Sequence, residues 1–283
     1  MTPFSQITIV GVGLLGGSLG LAARDRGLAR RVVGVGHRES SLRAAQARGA
    51  IDRFTLDVAD AARNADLLVL ATPVGLFADL VARAAPALAP DCLVTDVGST
   101  KRAVLQAVLP RLSHPARFVG SHPIAGSEAR GIDAARPDLY SNALTLVVPS
   151  DRSDPAAVLA VEQFWQALGA RTRRLDAETH DRLLAAASHL PHVVAAALVQ
   201  ALAPDAESVI GKGFLDTTRI ASGDPAMWRD ILLTNADEIL RALDPLEHTL
   251  ADLRSALTRR DPDALRRFLD SAKTRRDKFL NQH

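Results

Sequence analysis

A short apolar run at residues 6–10 leads directly into Gly11-Val12-Gly13-Leu14-Leu15-Gly16, followed by Gly17 and Ser18. A chain that begins this way is constrained to a strand that turns sharply into a helix. Each glycine has its own task in that reading. Gly11 permits the tight turn, Gly13 lets a bulky anion approach the backbone, and Gly16 lets the helix pack closely on the strand. The free N–H groups of the first helical turn, at Leu14 and Leu15, then suit a pyrophosphate. The glycine spacing alone is weak evidence. Its place between a strand and a helix makes it specific for a dinucleotide-binding unit of Rossmann type.

The rhythm of the next 160 or so residues agrees with that start. Short apolar runs at 31–35, 66–71, 92–97, 118–121 and 143–148 read as strands, and patterns such as 40–48 and 76–88 carry apolar residues at helical spacing. A further helix at 155–168 and strand at 171–175 close the unit. Strand and helix alternating at this rhythm imply parallel strands with crossover helices, an α/β doubly wound sheet. After Asp176 the rhythm changes. Only helical stretches follow, broken at Pro191, Pro204, residues 211–213, Pro225, Pro245 and Pro262, with Asp261-Pro262 as a helix start. We therefore expect a dinucleotide-binding domain over 1–176 and an all-helical domain over 177–283. Its alanine-rich, proline-interrupted pattern suggests a partner chain to pack against, hence dimerisation.

Composition removes several other classes. With 47% hydrophobic and 23% charged residues the chain is an ordinary globular protein, neither disordered nor collagen-like. Cys92 is the only cysteine, so no internal bridge exists and no oxidising compartment is needed. The 34 Lys+Arg nearly balance the 32 Asp+Glu, which argues against a nucleic-acid partner, and the basic stretch 266–278 reads as a solvated helix face. The first residues lack the basic and apolar regions of a signal peptide. The most apolar window, 183–203, contains Ser188, His189, Pro191, His192 and Gln200, which favours a buried helix over a membrane span. The expectation is a soluble, cytoplasmic protein.

The strand at 31–35 runs into Gly36-His37-Arg38-Glu39. A site for NAD usually places Asp or Glu there, on the ribose hydroxyls. Gly36 and His37 offer no carboxylate to repel a 2′-phosphate, and Arg38 can pair with one, helped by His37. NADP is therefore expected over NAD, with Glu39 opening the next helix. The expected cofactor contacts are Gly11, Gly13, Leu14, Leu15, Gly16, His37, Arg38 and Thr72.

Two further clusters follow strands at the carboxyl edge, where ligands sit in such sheets. One is Asp96-Val97-Gly98-Ser99-Thr100-Lys101; the other is Ser121-His122-Pro123-Ile124-Ala125-Gly126-Ser127-Glu128. His122, just after its strand and flanked by proline, suits a general base better than a core position. Ser188-His189-Leu190-Pro191-His192 interrupts the first long helix of the second half. The two histidines share a face if the helix continues through. With no third ligand at matching spacing, no metal is expected.

Taken in order, residues 11–19, 96–101, 121–128, 188–192 and 213–228 resemble the prephenate/arogenate dehydrogenase family. Its members oxidatively decarboxylate a cyclohexadienyl acid on the route to tyrosine, using a nucleotide-binding domain and a helical domain that forms an intertwined dimer. The resemblance implies that His122 is the catalytic histidine on the C4 hydroxyl. It implies that Ser99 bridges that hydroxyl, the histidine and the nicotinamide, and that Arg219 binds the ring carboxylate. His192, Ser188 and Trp228 would line the substrate pocket, the tryptophan reaching in from the partner subunit. Leu215 stands where the family often has Arg or Lys, and Lys212 where it has Gly, so Lys212 is a candidate to restore that charge.

Two other readings stay open. A two-domain dehydrogenase of small hydroxy acids would share the first domain but want a catalytic lysine in the second, for which Lys212 is the central candidate. A non-catalytic nucleotide sensor would keep the glycines yet need neither His122 nor Arg219. The chain opens almost directly on its first strand and ends in a basic helix at His283. No appended regulatory domain is expected from that, and any inhibition by tyrosine should be competitive with the substrate.

Overall fold

A computed structural model describes residues 2–126 and 129–280. Ser127 and Glu128, the last two positions of the His122 motif, and His283 lie outside the described residues. The eight strands are β1 (Ile7–Val10), β2 (Val32–Val35), β3 (Arg53–Thr55), β4 (Leu67–Leu70), β5 (Leu93–Asp96), β6 (Phe118–Ile124), β7 (Leu144–Val148) and β8 (Arg171–Arg174). They form one sheet in the order β3-β2-β1-β4-β5-β6-β7-β8. Strands β1, β2, β4 and β5 are buried along their whole length, which is why they read as continuous apolar runs rather than alternating ones. The order reverses between β1 and β4. Their carboxyl ends therefore open a crevice beside the glycine turn.

Helices α1 (Leu14–Asp25), α2 (Glu39–Ala47), α3 (Val58–Ala62), α4 (Phe77–Ala84), α5 (Arg102–Val108) and α6 (Pro155–Ala167) cover both faces of the sheet. One core gathers Ile7, Ile9, Leu19, Phe164 and Trp165; the other gathers Val10, Leu68, Leu70, Phe77 and Phe118. Successive residues of β1 point to opposite cores, as the pleat requires.

The sheet departs from the expected pattern in three places. β3 is an unforeseen strand of three residues, too short for a periodic signal. β7 pairs antiparallel to β6, so the sheet is mostly rather than wholly parallel. Among the described residues the connection between them contains a short 3-10 turn (Ile132–Ala134) and no crossover helix, and the chain returns alongside itself. Finally, β6 continues past Ser121, so His122 lies within the strand rather than after it. Its pairing with β5 stops at Val119, but its pairing with β7 runs on through Ile124, placing His122 opposite Leu146.

Among the described residues every element after β8 is helical: α7 (Ala177–Leu184), α8 (Leu190–Gln200), α9 (Lys212–Thr218), α10 (Pro225–Thr234), α11 (Ala236–Thr258) and α12 (Pro262–Leu280). α12 starts as Asp261-Pro262 predicted, with the Asp261 carboxylate accepting the Ala264 N–H at 2.9 Å. Pro191 does not break the first long helix. A π-turn at Ala185–His189 joins α7 to α8, and the wider turn accommodates the residue that lacks an N–H. By length and composition Ala177–Gln200 could cross a membrane, yet it carries buried His180, Asp181, His189 and His192. Only 28% of its most apolar window is buried, leaving Leu198 and Val199 exposed, so the expectation of a buried helix is met on one face alone. Compact packing groups the chain through Ala236 as one unit and begins a second at Asp237.

Candidate active site

The glycine turn is shaped by two different demands. Gly11 has φ +100°, and a Cβ there would lie 2.6 Å from the Ala71 carbonyl oxygen and 2.8 Å from the Thr72 Cγ2. A Cβ on Gly16 would come within 2.0 Å of the Gly11 carbonyl oxygen. Both positions must therefore be glycine for the fold to close. Gly13 is otherwise: a Cβ there would meet no atom within 4 Å. No side chain caps the N-terminus of α1 either. The open space at Gly13 and the uncapped amides at Leu14 and Leu15 fit a pyrophosphate, not a demand of packing.

Thr72 is half-buried beside Gly11, while His37 and Arg38 are exposed just beyond β2. Glu39 does not face them in an ion pair of its own. Its carboxylate accepts from Arg43 Nε at 2.9 Å, one turn along α2. The expected cofactor contacts thus share the crevice side of the sheet, at the ends of β1, β2 and β4.

Where β6 leaves β5, the side chain of Asp96 takes over from the missing backbone pairing. Its Oδ1 accepts the Ser121 N–H at 3.0 Å, and its Oδ2 accepts the Gly98 N–H at 2.8 Å. Lys101 Nζ donates to Asp96 Oδ2 at 2.5 Å and to the carbonyls of Gly98 at 2.9 Å and Thr100 at 3.1 Å. Both charged residues are fully buried. A buried pair adds little net stability but fixes geometry. Here it fixes the loop that carries half-buried Ser99.

His122 is 9% exposed, and its Nδ1 lies 2.9 Å from His180 Nε2. His180 Nδ1 in turn lies 2.8 Å from Asp181 Oδ1. The Asp181 carboxylate also accepts the backbone N–H groups of Lys101 at 2.8 Å and Arg102 at 3.0 Å. It thereby caps α5, which has no cap from its own chain segment. Burial, with His180, Lys101 and His189 nearby, holds the His122 imidazole well below its ordinary pKa, so it is neutral at neutral pH. Burial also lowers His180, against the pull of Asp181. For Asp181 burial acts upward, but the bonds from His180, Arg102 and Lys101 outweigh it and keep the carboxyl below the usual range.

His180 and Asp181 were not singled out from the sequence, although a signal was available. Residues 177, 180, 181 and 184 form the buried stripe of α7, so a His-Asp pair occupies core positions of an amphipathic helix.

Around the π-turn lies a second group. His189, pushed down to about 4 mainly by burial, has Nδ1 3.1 Å from Asn235 Nδ2, which also donates to the Asp181 carbonyl at 2.9 Å. Trp228 of α10 stacks on His192, with centroids 3.4 Å apart and planes 9° apart, and meets His189 edge-on at 6.2 Å. Within one chain the tryptophan thus packs on His192, and Gly223 leaves the ring room. A Cβ on Gly223 would lie 2.3 Å from the indole nitrogen. His192 Nδ1 is buried with no hydrogen-bond partner among the described residues.

Ser188 is half-buried in the π-turn. Arg219, exposed, directly follows α9 and adjoins Ile220, whose backbone faces His192. Lys212 and Leu215 are exposed on α9, with Lys212 at the end away from Arg219. His122, the Ser99 loop, His189, His192 and Trp228 are therefore joined through direct contacts and shared partners, whereas Lys212 is not.

Residues 19–174 match the family model for the nucleotide-binding domain of prephenate dehydrogenase, and residues 176–271 that for its dimerization domain. The chain is 34% identical to a prephenate dehydrogenase of Bacillus subtilis, over 96% of this chain and 75% of that protein. It is also 34% identical to a cyclohexadienyl dehydrogenase of Zymomonas mobilis, over 97% of this chain and 96% of the other. Among solved structures, prephenate dehydrogenase from Aquifex aeolicus in complex with hydroxyphenyl propionate and NAD+ superposes with a TM-score of 0.91 at 32% identity, covering 97% of this chain and 98% of that one.

Proposed function

The chain belongs to the prephenate dehydrogenase family, and from that premise we propose that it oxidatively decarboxylates prephenate, arogenate or both in the formation of tyrosine. The observation that carries this reading is a buried His122 at the carboxyl edge of the sheet, linked through His180 and Asp181 to the loop of Ser99. A bound nicotinamide dinucleotide supplies the hydride acceptor. As ring C4 is oxidised its hydroxyl must lose a proton, and His122 is the base that takes it. A positioned base of this kind contributes about 10²–10⁴-fold. Ser99 hydrogen-bonds the same hydroxyl. Arg219 orients the ring carboxylate until it leaves as CO₂, and the aromatic ring that results drives the reaction forward. His192, Ser188 and Trp228 bound the pocket.

Gly13 and the first amides of α1 hold the cofactor's phosphates. His37 and Arg38 favour NADP over NAD, because Gly36 and His37 put no carboxylate directly after β2 and Glu39 is paired with Arg43. The helical half, 177–283, serves substrate binding and dimerisation, and the exposed Leu198 and Val199 support a second copy of the chain as partner. A circulating nicotinamide pool fits a cytoplasmic enzyme.

The test follows reduced-cofactor absorbance with prephenate, arogenate and a panel of small hydroxy acids, each with NAD and NADP. Turnover confined to the cyclohexadienyl acids supports the proposal. Turnover on hydroxy acids alone, or on nothing, overturns it.

A further inference from the structure

We propose that His180 and Asp181 are positioning residues that set the tautomer of His122, leaving its Nε2 bare to accept the substrate proton. The assignment rests on the role given to His122 above, and it follows from the order of donors and acceptors. Asp181 receives two backbone N–H groups, from Lys101 and Arg102, on its two oxygens. A carboxylate so surrounded stays ionised and can only accept. His180 Nδ1, 2.8 Å away, must then carry the proton. A neutral His180 has its lone pair on Nε2. His122 Nδ1 sits 2.9 Å from that lone pair and must donate to it. The one nitrogen of His122 left without a proton is Nε2.

Reversing the chain would require a proton on Asp181, which the two amides oppose. Nearby groups also act on the charge of the His122 ring. Lys101, paired with Asp96, and His189 on the π-turn both disfavour a second proton in the resting state. When Nε2 takes the proton of the C4 hydroxyl, the Nδ1–H bond toward His180 strengthens and Asp181 offsets the new charge. The proton remains on His122 until water removes it; neither His180 nor Asp181 receives it. A carboxylate plays the same orienting part behind the histidine of a Ser-His-Asp triad.

Asp181 has a second consequence. Its carboxylate binds the amides of Lys101 and Arg102 at the start of α5, just beyond Ser99 and Thr100, and its Oδ1 also orients His180. One side chain thus registers the serine loop against the histidine. His122 and His180 are 58 positions apart and Asp181 and Lys101 are 80 apart, so this register is purely tertiary.

The test needs no substrate in its first arm. Nitrogen-15 imidazole spectra of the full chain at neutral pH, with the His122 signals identified by their loss in His122→Asn, should show a protonated Nδ1 and an unprotonated Nε2. A wild-type His122 protonated at Nε2 overturns the proposal even if the enzyme is fully active. The second arm compares His180→Leu, which has no acceptor, with His180→Gln, whose amide oxygen can accept from Nδ1. The leucine variant should lose roughly 10–100-fold in kcat, part of what a general base supplies, with little change in KM. It should also show Nε2 protonation in the spectrum, and the glutamine variant should recover both. Equal losses in the two variants with an unchanged His122 spectrum would make His180 merely structural. Absence of turnover on cyclohexadienyl acids, with the expected wild-type spectrum, would refute the substrate reading and leave the tautomer assignment intact.

Discussion

Acid should destabilise this protein in a range where surface histidines have no effect, and His189 permits a quantitative test. The folded protein holds His189 at about 4 against an ordinary 6.5. Burial is the main cause; Asp181 pulls the other way, and His180 and His192 add to the fall. Between those two values the unfolded chain binds more protons than the folded one, so stability rises with pH and is lost as pH falls from the unfolded value toward the folded one. The linkage relation gives a loss of about 2 kcal/mol between pH 7 and pH 5, and about 3 kcal/mol by pH 4, from this residue alone. His189→Gln removes the titration while its amide oxygen can still accept from Asn235. The assay is denaturant unfolding of wild type and variant at pH 7 and pH 5, at one protomer concentration. The variant should be less stable at neutral pH, but its pH-dependent loss should be smaller by about 2 kcal/mol. His122, His180 and His192 titrate in both proteins, so the difference reports His189 together with its coupling to them. Equal pH-dependent losses in the two proteins would show that His189 titrates as it would in water, and the burial argument would fail.

His122→Asn should leave cofactor affinity unchanged and reduce turnover by roughly 10²–10⁴-fold, and near-normal kcat would remove it from the mechanism. Wild-type activity should rise with pH through a group that must be neutral, with its midpoint below that of an ordinary histidine. Arg219→Ala should raise KM by at least about tenfold, from the roughly 1.5–3 kcal/mol of a charged hydrogen bond; an unchanged KM would make Arg219 structural. Arg38→Ala should narrow the gap between NADP and NAD dissociation constants by weakening NADP alone, and a wild type that binds NAD more tightly refutes that part of the proposal. Sedimentation at micromolar concentration should give a dimer, whereas a monomer would contradict the role assigned to the helical half.

What the residues determined locally was legible before any tertiary structure. The glycine turn, the apolar runs of β1, β2, β4 and β5, and the Asp261-Pro262 start of α12 each depend on interactions within a few residues. Backbone sterics and period suffice to read them. The motif histidines stand out by chemical type, beside an apolar run and around Pro191, whereas Arg219 is assigned by its resemblance to the family and not by any local pattern. Tertiary structure decided the rest. β3 has three residues and no period of its own, and only its pairing with β2 makes it a strand. His122 lies inside β6 because β7 pairs with that segment, and a segment's own pattern cannot announce its neighbour. Trp228 found His192 of its own chain through the space left at Gly223. The contacts of His180 and Asp181 with His122 and the Ser99 loop bridge 58 to 80 positions of sequence, and their donors and acceptors acquire an order only once burial excludes water from between them.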